Sequence, residues 1–194
     1  MLKDTDVHWF PIRINHSSPA LLRKLTELLE QEEPVEKTYV PLQFKKKDAT
    51  TMDFAPAITN FIFIRISLQH LKSIKSNKAQ YEPLRYVMHP VYDENYNQHK
   101  EVLYVTDKKM DDFIRVVSEA NDQVIFLNNL HFACKPGQKV QITEGPFAGV
   151  KGTIKSIQKH LCVVIPIEKV TAVAITNIPK RHLRYLTDDE CEEA

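Results

Sequence analysis

The residues able to do covalent or metal chemistry are few and poorly arranged for it. Eight histidines and three cysteines are spread over 194 residues. His131 and Cys134 are the one Cys/His pair close in sequence, the residue types of a thiolate nucleophile and its base. No acidic orienter stands near them, and they fall in a connecting stretch. Cys134, Cys162 and Cys191 show no CxxC spacing and are odd in number, against both a disulfide framework and a structural zinc site. The histidines show no HxxH or HExxH spacing. The expectation is a protein that is not an enzyme and uses no metal and no cofactor.

Binding chemistry is better supplied. Trp9, Phe61 and Phe63 are aromatic anchors of the type that dominates interface energetics, at about 2 kcal/mol or more each on truncation; the alternative is that they fill a core. Net charge is only +1, but it is uneven. Lys135 to Thr187 holds nine Lys/Arg against Glu144 and Glu168, a local balance of +7, and Asp188 to Ala194 holds five acids and no base. Such a basic segment can neutralise phosphates. Lys151 and Lys155 within it, and Arg13 and Arg65 earlier, are candidate nucleic-acid contacts.

Those residues need elements to hold them, and the strongest pattern is Gly137 to Ile154. Val140 and Ile142 alternate with Lys139, Gln141 and Thr143, the period of a half-buried strand. Glu144-Gly145-Pro146 breaks it, and alternation resumes at Ile154 and Ile157. Gly145, Gly149 and Gly152, three of the chain's four glycines, fall in eight residues. Two strands around a tight loop follow, with later strands at Leu161–Ile167 and Thr171–Ile178 and a closing run Leu183–Leu186. Cys162 sits in the apolar run Leu161–Ile165 and reads as a small core residue.

Upstream, Val7–Ile14 reads as a strand that Pro11 pushes toward an edge or bulge. Ser17-Ser18-Pro19 is a helix start, and Leu21, Leu22, Leu25, Leu28 and Leu29 form one apolar face, with Pro34 ending the helix. Val35–Phe44 reads as a second strand. Ala57–Ile66 is apolar on both faces, as in a central strand covered on both sides. A short helix at Leu68–Lys78, a strand at Leu84–His89, a turn-rich insertion, a strand at Glu101–Val105 and a helix after Thr106 complete an α+β sandwich. The division is 1–120, a connection at 121–134, a small β-barrel at 135–187 and an acidic tail at 188–194, although Val124–Leu127 is too apolar for a plain linker. The polar N-terminus and the absence of an apolar run near 20 residues point to a cytoplasmic protein with no membrane partner.

The glycine-spaced stretch resembles a KOW motif, the core of an SH3-like barrel in NusG-type elongation factors and some ribosomal proteins. Trp9-Phe10-Pro11-Ile12-Arg13 resembles the opening strand of the NusG N-terminal domain, Pro56 to Ile64 is similar to that family's Pro-Gly-Tyr-Val-Phe-Val strand, and Thr106 to Met110 looks like the start of its last helix. The resemblance implies docking on the clamp helices of the largest RNA polymerase subunit through Trp9, Phe10, Phe61 and Phe63, with increased processivity. It also implies a KOW surface at Phe147, Val150 and Ile165 for Rho or a ribosomal protein, with nascent RNA or upstream DNA as further partners. Family members carry Pro-Gly where this chain has Thr59-Asn60, many carry a second aromatic at Val150, and Tyr92–His99 replaces a glycine-rich loop. These departures point to a specialised paralogue, like the antiterminators of surface-polysaccharide operons. The competing expectation is a KOW-type RNA-binding or ribosome-associated protein.

Overall fold

Serine before proline starts the first helix as the sequence demands. Ser18 is extended, its hydroxyl accepts the Leu21 N–H at 3.1 Å, and Pro19 opens α1 (Pro19–Glu30). The structure, a computed structural model, describes residues 3–46, 52–58, 60–119, 123–127, 137–157, 160–167 and 170–187. The chain divides into two units, Met1–Leu42 with Asp53–Asp107, and Gln43–Met52 with Lys108–Ala194.

The first unit is built on a four-stranded antiparallel sheet. Its strands are β1 (Val7–Ile14), β2 (Lys37–Tyr39), β5 (Phe61–Ser67) and β6 (Leu84–Tyr86), in the order β2-β5-β1-β6. One face carries Phe10, Ile12 and Ile14 of β1 with Ile62, Ile64 and Ile66 of β5. Leu22, Leu25 and Leu29 of α1 and Leu71 and Ile74 of α2 (Leu68–Asn77) close that core. Each such aliphatic side chain, nearly or fully withdrawn from water, contributes about 1.5–3 kcal/mol of burial. Ser67 caps α2, accepting the His70 N–H at 3.3 Å. Tyr81, in the 3₁₀ turn Ala79–Tyr81, donates to Glu32 at 2.8 Å and lies 3.1 Å from the Leu28 carbonyl, tying that turn to the end of α1.

Several elements differ from the sequence pattern, each for a local reason. β1 is an interior strand despite Pro11. Odd-numbered N–H groups of β1 face the β6 side, since Trp9 donates to Val105 at 3.3 Å, whereas Ile14 donates to Asn60 on the β5 side. Pro11 falls between the Trp9–Val105 bridge and the Ile12–Ile14 stretch paired with β6, where no donor is needed. The run Val35–Phe44 splits at Val40-Pro41 into β2 and β3 (Leu42–Lys46), and β3 pairs with β4 (Met52–Pro56) in a separate two-stranded sheet. β5 begins at Phe61, because the Ala57 N–H is taken by the Pro41 carbonyl at 2.8 Å. Leu84–His89 splits at Val87, whose carbonyl accepts the Leu103 N–H at 2.8 Å. Beyond it β7 (Met88–Tyr92) and β8 (Gln98–Val102) form a hairpin, so the insertion is a turn at Asp93–Asn97. The Asp93 carboxylate accepts the Asn95 and Asn97 N–H groups at 2.9 and 2.8 Å, and Tyr96 adopts a φ of 60°.

The second unit takes all of α3 (Asp107–Ser118) beyond its first residue, and buries Met110, Phe113, Val116 and Val117. It also contains β9 (Val124–Phe126), β10 (Lys139–Ile142), β11 (Lys151–Ile157), β12 (His160–Ile167), β13 (Thr171–Thr176) and β14 (Leu183–Tyr185). The six strands form one antiparallel sheet in the order β14-β10-β11-β12-β13-β9. The apolar run at Val124–Leu127 therefore pairs along β13, and Leu127 donates to the Ala172 carbonyl at 2.9 Å. Phe113 of α3 meets Phe126 edge-on, with centroids 6.5 Å apart. Cys162 is buried, and burial pushes its thiol pKa up. The fold is α+β, a mixed unit followed by a small β domain. The remainder of the connection around His131 and Cys134, Thr59, and the acidic 188–194 segment lie outside the described residues.

Candidate functional site

Pairing register decides which of the candidate aromatic residues share a face. Trp9 is opposite Arg65, Pro11 opposite Phe63 and Arg13 opposite Phe61, so Trp9, Phe61 and Phe63 lie together on the sheet face away from α1 and α2. Phe10 points the other way, into the helix-covered core, and does not belong with them. Tyr39, opposite Phe63 on β2, extends the group, with its ring 6.5 Å from that of Phe63. Burial lifts the Tyr39 phenol to about 12.

None of the four candidate polymerase anchors is exposed. Trp9 is 3% accessible, Phe61 6%, and Phe10 and Phe63 0%. The two arginines sit at the margins of the aromatic group in different states. The Arg13 guanidinium is exposed and lies 5.5 Å from the Phe61 centroid, a cation–π contact. Arg65 is committed to the fold. Its Nε and Nη2 grip both carboxylate oxygens of Asp107, at 3.0 and 2.9 Å, and its Nη1 bonds Glu36. This fork-to-carboxylate geometry holds the Asp107 carboxyl below its ordinary pKa.

The candidate KOW surface is likewise turned inward. Phe147 is 3% accessible, Val150 0% and Ile165 6%. The loop between β10 and β11 is closed by backbone bonds, Gly149 N–H to Ile142 at 2.7 Å and Ala148 N–H to Gly145 at 3.1 Å. Gly145 and Gly149 both take positive φ, 85° and 90°. From α3, Arg115 donates to the Ala148 carbonyl at 2.9 Å, so the helix braces the loop. Nearby, burial raises the Asp112 carboxyl although Arg115 opposes the shift.

The cations of the second unit are better exposed and better aligned. Arg184, Gln141 and Lys151 pair across β14, β10 and β11, placing them in one row on one face. Arg184 donates to the Gln141 side chain at 2.9 Å. Lys139 is two residues from Gln141, and Thr153 and Lys155 follow Lys151 at the same period, so all share that face. Lys139 and Arg184 are exposed, Lys151 is half-buried, and Lys155 is only 8% accessible, a less available contact than its type suggests. Lys139 and Arg184 complete the row; Arg184 is among the cations of the basic segment that the sequence offers for phosphate contact, whereas Lys139 is read there only as a polar strand position. The alternation around Val140 and Ile142 held the signal for Lys139, whereas β14 is too short to show one.

Among the described residues no group of His, Cys, Asp or Glu is placed to hold a metal ion, and no helix is long and apolar enough to cross a membrane. No curated protein matches the chain. A solved structure of NusG from Thermotoga maritima superposes over 95% of this chain and 100% of its own, at 14% identity and a TM-score of 0.43. That level of likeness leaves function open. Residues 136–170 match the KOW motif family, and they coincide with the glycine loop, its two flanking strands and β12. Within the second unit of this α+β chain, residues 136–170 thus carry a KOW motif in a small β domain.

Proposed function

We propose that the chain is a transcription elongation or antitermination factor of NusG type, which binds RNA polymerase through its first unit and performs no catalysis itself. The observation that carries this reading is the KOW motif at 136–170 behind a separately built α+β unit that opens with a tryptophan-bearing strand. On this reading the protein works in the cytoplasm, the clamp helices of the largest subunit are its partner, and specific operons are its targets. The KOW unit recruits a second partner such as Rho or a ribosomal protein. Because Phe61 and Phe63 are buried, their truncation is a poor probe of docking. Arg13, exposed beside Phe61, is the cleaner one.

The test is retention of core RNA polymerase by the immobilised chain, comparing wild type with Arg13→Glu. Wild-type retention weakened about tenfold or more by Arg13→Glu, with an unchanged circular dichroism spectrum, supports docking by this part of the first unit. Retention that Arg13→Glu leaves unaltered moves the contact elsewhere on the molecule. No wild-type retention removes the polymerase reading.

A second reading rests on the Arg184–Gln141–Lys151 row with Lys139, namely an RNA-binding or ribosome-associated protein. Tight RNA binding without polymerase, weakening steeply between about 50 and 200 mM salt, favours it.

A further inference from the structure

An open cavity of about 600 Å³ lies in the first unit where the end of α2, the 3₁₀ turn and β6 meet, lined by Lys75, Ser76, Lys78, Ala79, Glu82 and Arg85. Its volume falls in the range of small-ligand sites, about 300–1,000 Å³. Three lining residues are cations and one is a carboxylate. Arg85 lies opposite Arg13, at the margin of the aromatic face, and none of the lining residues belongs to the cation row of the second unit.

The three cationic side chains are held by different means. Lys78 donates to both oxygens of Glu32 at 2.7 and 2.6 Å, and the Glu32 side chain is only 12% accessible. These bonds, joined by that of Tyr81, keep the Glu32 carboxyl low, so Lys78 is a fixed and partly neutralised donor. Lys75 extends along the Tyr86 ring, with its ammonium 5.2 Å from the centroid and no carboxylate partner among the described residues. Arg85 is anchored to main chain, Nη1 bonding the carbonyls of Leu84 at 2.9 Å and of Glu82. Its ion pair to Glu82, at 2.9 Å and one helical turn apart in sequence, is well exposed on both sides. Such pairs contribute only about 0.2–1 kcal/mol and yield to a stronger anion.

We propose that this cavity binds a phosphate group, carried by a nucleotide or by a nucleic-acid backbone, with Lys75 and Arg85 supplying the attraction and Lys78 and the Ser76 hydroxyl completing the donor set. A phosphate presents oxygens around a tetrahedron and can accept from donors converging along several lines, whereas a carboxylate offers two oxygens in one plane. The proposal does not depend on polymerase binding.

The experiment uses the full chain. Inorganic phosphate and AMP are titrated while amide resonances of Ser76, Lys78 and Glu82 are followed by NMR. A labelled DNA duplex and a labelled RNA are then titrated by anisotropy from about 50 to 200 mM salt. Each probe is run on wild type, on Lys75→Glu/Arg85→Glu, and on Lys139→Glu/Arg184→Glu as a control for the KOW unit, with circular dichroism confirming that both variants fold. The expected result is saturable phosphate or AMP shifts at the three amides that weaken at least about tenfold in the cavity variant and persist in the control. A backbone source adds a fall of about 1.8 in the log–log salt slope for the duplex, two lost phosphate contacts at about 0.9 each. Small-molecule shifts without that change in slope identify a free nucleotide or phosphate as the source. If neither the amide shifts nor the salt slope distinguishes the cavity variant from wild type, the proposal is overturned.

Discussion

Gly152 and Gly145 are both loop-flanking glycines of the KOW unit, yet the structure assigns them opposite reasons for being glycine. A Cβ at Gly152 would lie 2.6 Å from Val163 Cγ1 and 2.8 Å from the Val164 carbonyl oxygen. Carbon–carbon contacts settle near 3.5 Å, so relief needs a shift of roughly 0.9 Å (3.5 less 2.6). That shift has nowhere to go. Val163 and Val164 are 1% and 0% accessible, and β11 is held to β12 by its ladder. Gly152→Ala therefore belongs at the upper end of overpacking costs, about 3 kcal/mol. At Gly145 a Cβ meets nothing within 4 Å, and the obstacle is the φ of 85°. A left-handed alanine costs about 1–2 kcal/mol, offset by roughly 0.4–1 kcal/mol from a stiffer unfolded chain, leaving about 1 kcal/mol net. For a unit of this size each kcal/mol moves the melting midpoint by about 4–8 °C, so Gly152→Ala melts roughly 8–16 °C below Gly145→Ala. Far-UV circular dichroism follows the loss of strands, and amide exchange at Val140 and Val163 locates it in the KOW unit. The sole tryptophan, Trp9, reports the first unit separately. Gly152→Ala melting as high as Gly145→Ala would refute the close-approach argument.

Phe63→Ala should cost about 3–5 kcal/mol because the ring is fully buried; a urea midpoint unchanged from wild type would contradict that placement. Arg65 depresses the Asp107 pKa, so this pair's contribution is present above the ordinary carboxylate range near pH 4 and is lost as pH falls through the folded value. Asp107→Asn should accordingly destabilise the protein at pH 7, by no more than about 1 kcal/mol for so exposed a carboxylate, and the gap to wild type should close in acid. Tyr81 is pushed up to about 12, chiefly by burial and then by its bond to Glu32. Its phenol therefore favours the folded state fully below pH 10 and loses that contribution as pH rises toward 12. Absorbance titration near 295 nm should find late-ionising tyrosines in wild type, Tyr39 and Tyr81 among them, and Tyr81→Phe should remove one equivalent of that late signal, along with about 1 kcal/mol of stability.

Where the sequence was readable, side-chain pattern and backbone geometry pointed the same way. Ser18-Pro19 could only start a helix, and the Leu22–Leu25–Leu29 stripe could only bury one side of it. Gly145 announced a positive φ by its place between a strand and Pro146. The β order of the first unit is harder to read, because Pro11 argues for an edge strand or a bulge. Only the register reveals that its missing donor falls in a gap between two partners. Candidate site residues fared unevenly for the same reason. Alternation puts Trp9 on the opposite face of β1 from Phe10, but it does not say that both faces are covered. Arg65 gave no hint of its role, since Glu36 and Asp107 lie 29 and 42 residues away along the chain. The charge row fails similarly, because Arg184 joins Lys151 only through Gln141 on the strand between them.

The short strand β9 has a bearing on how the KOW unit behaves if cut free. β13 is buried along its whole length, and Val124–Phe126 occupies the hydrogen-bonding side that β12 leaves open. A piece beginning at residue 136, where the motif match starts, lacks that strand. It would present the ladder groups of Thr171–Thr176, a run rich in Val, Ile and Thr, to any passing chain. Such a piece should be sparingly soluble and prone to join its own copies edge to edge, whereas one beginning before Val124 should stay dispersed. The few residues upstream of the motif thus serve as a built-in guard against self-association.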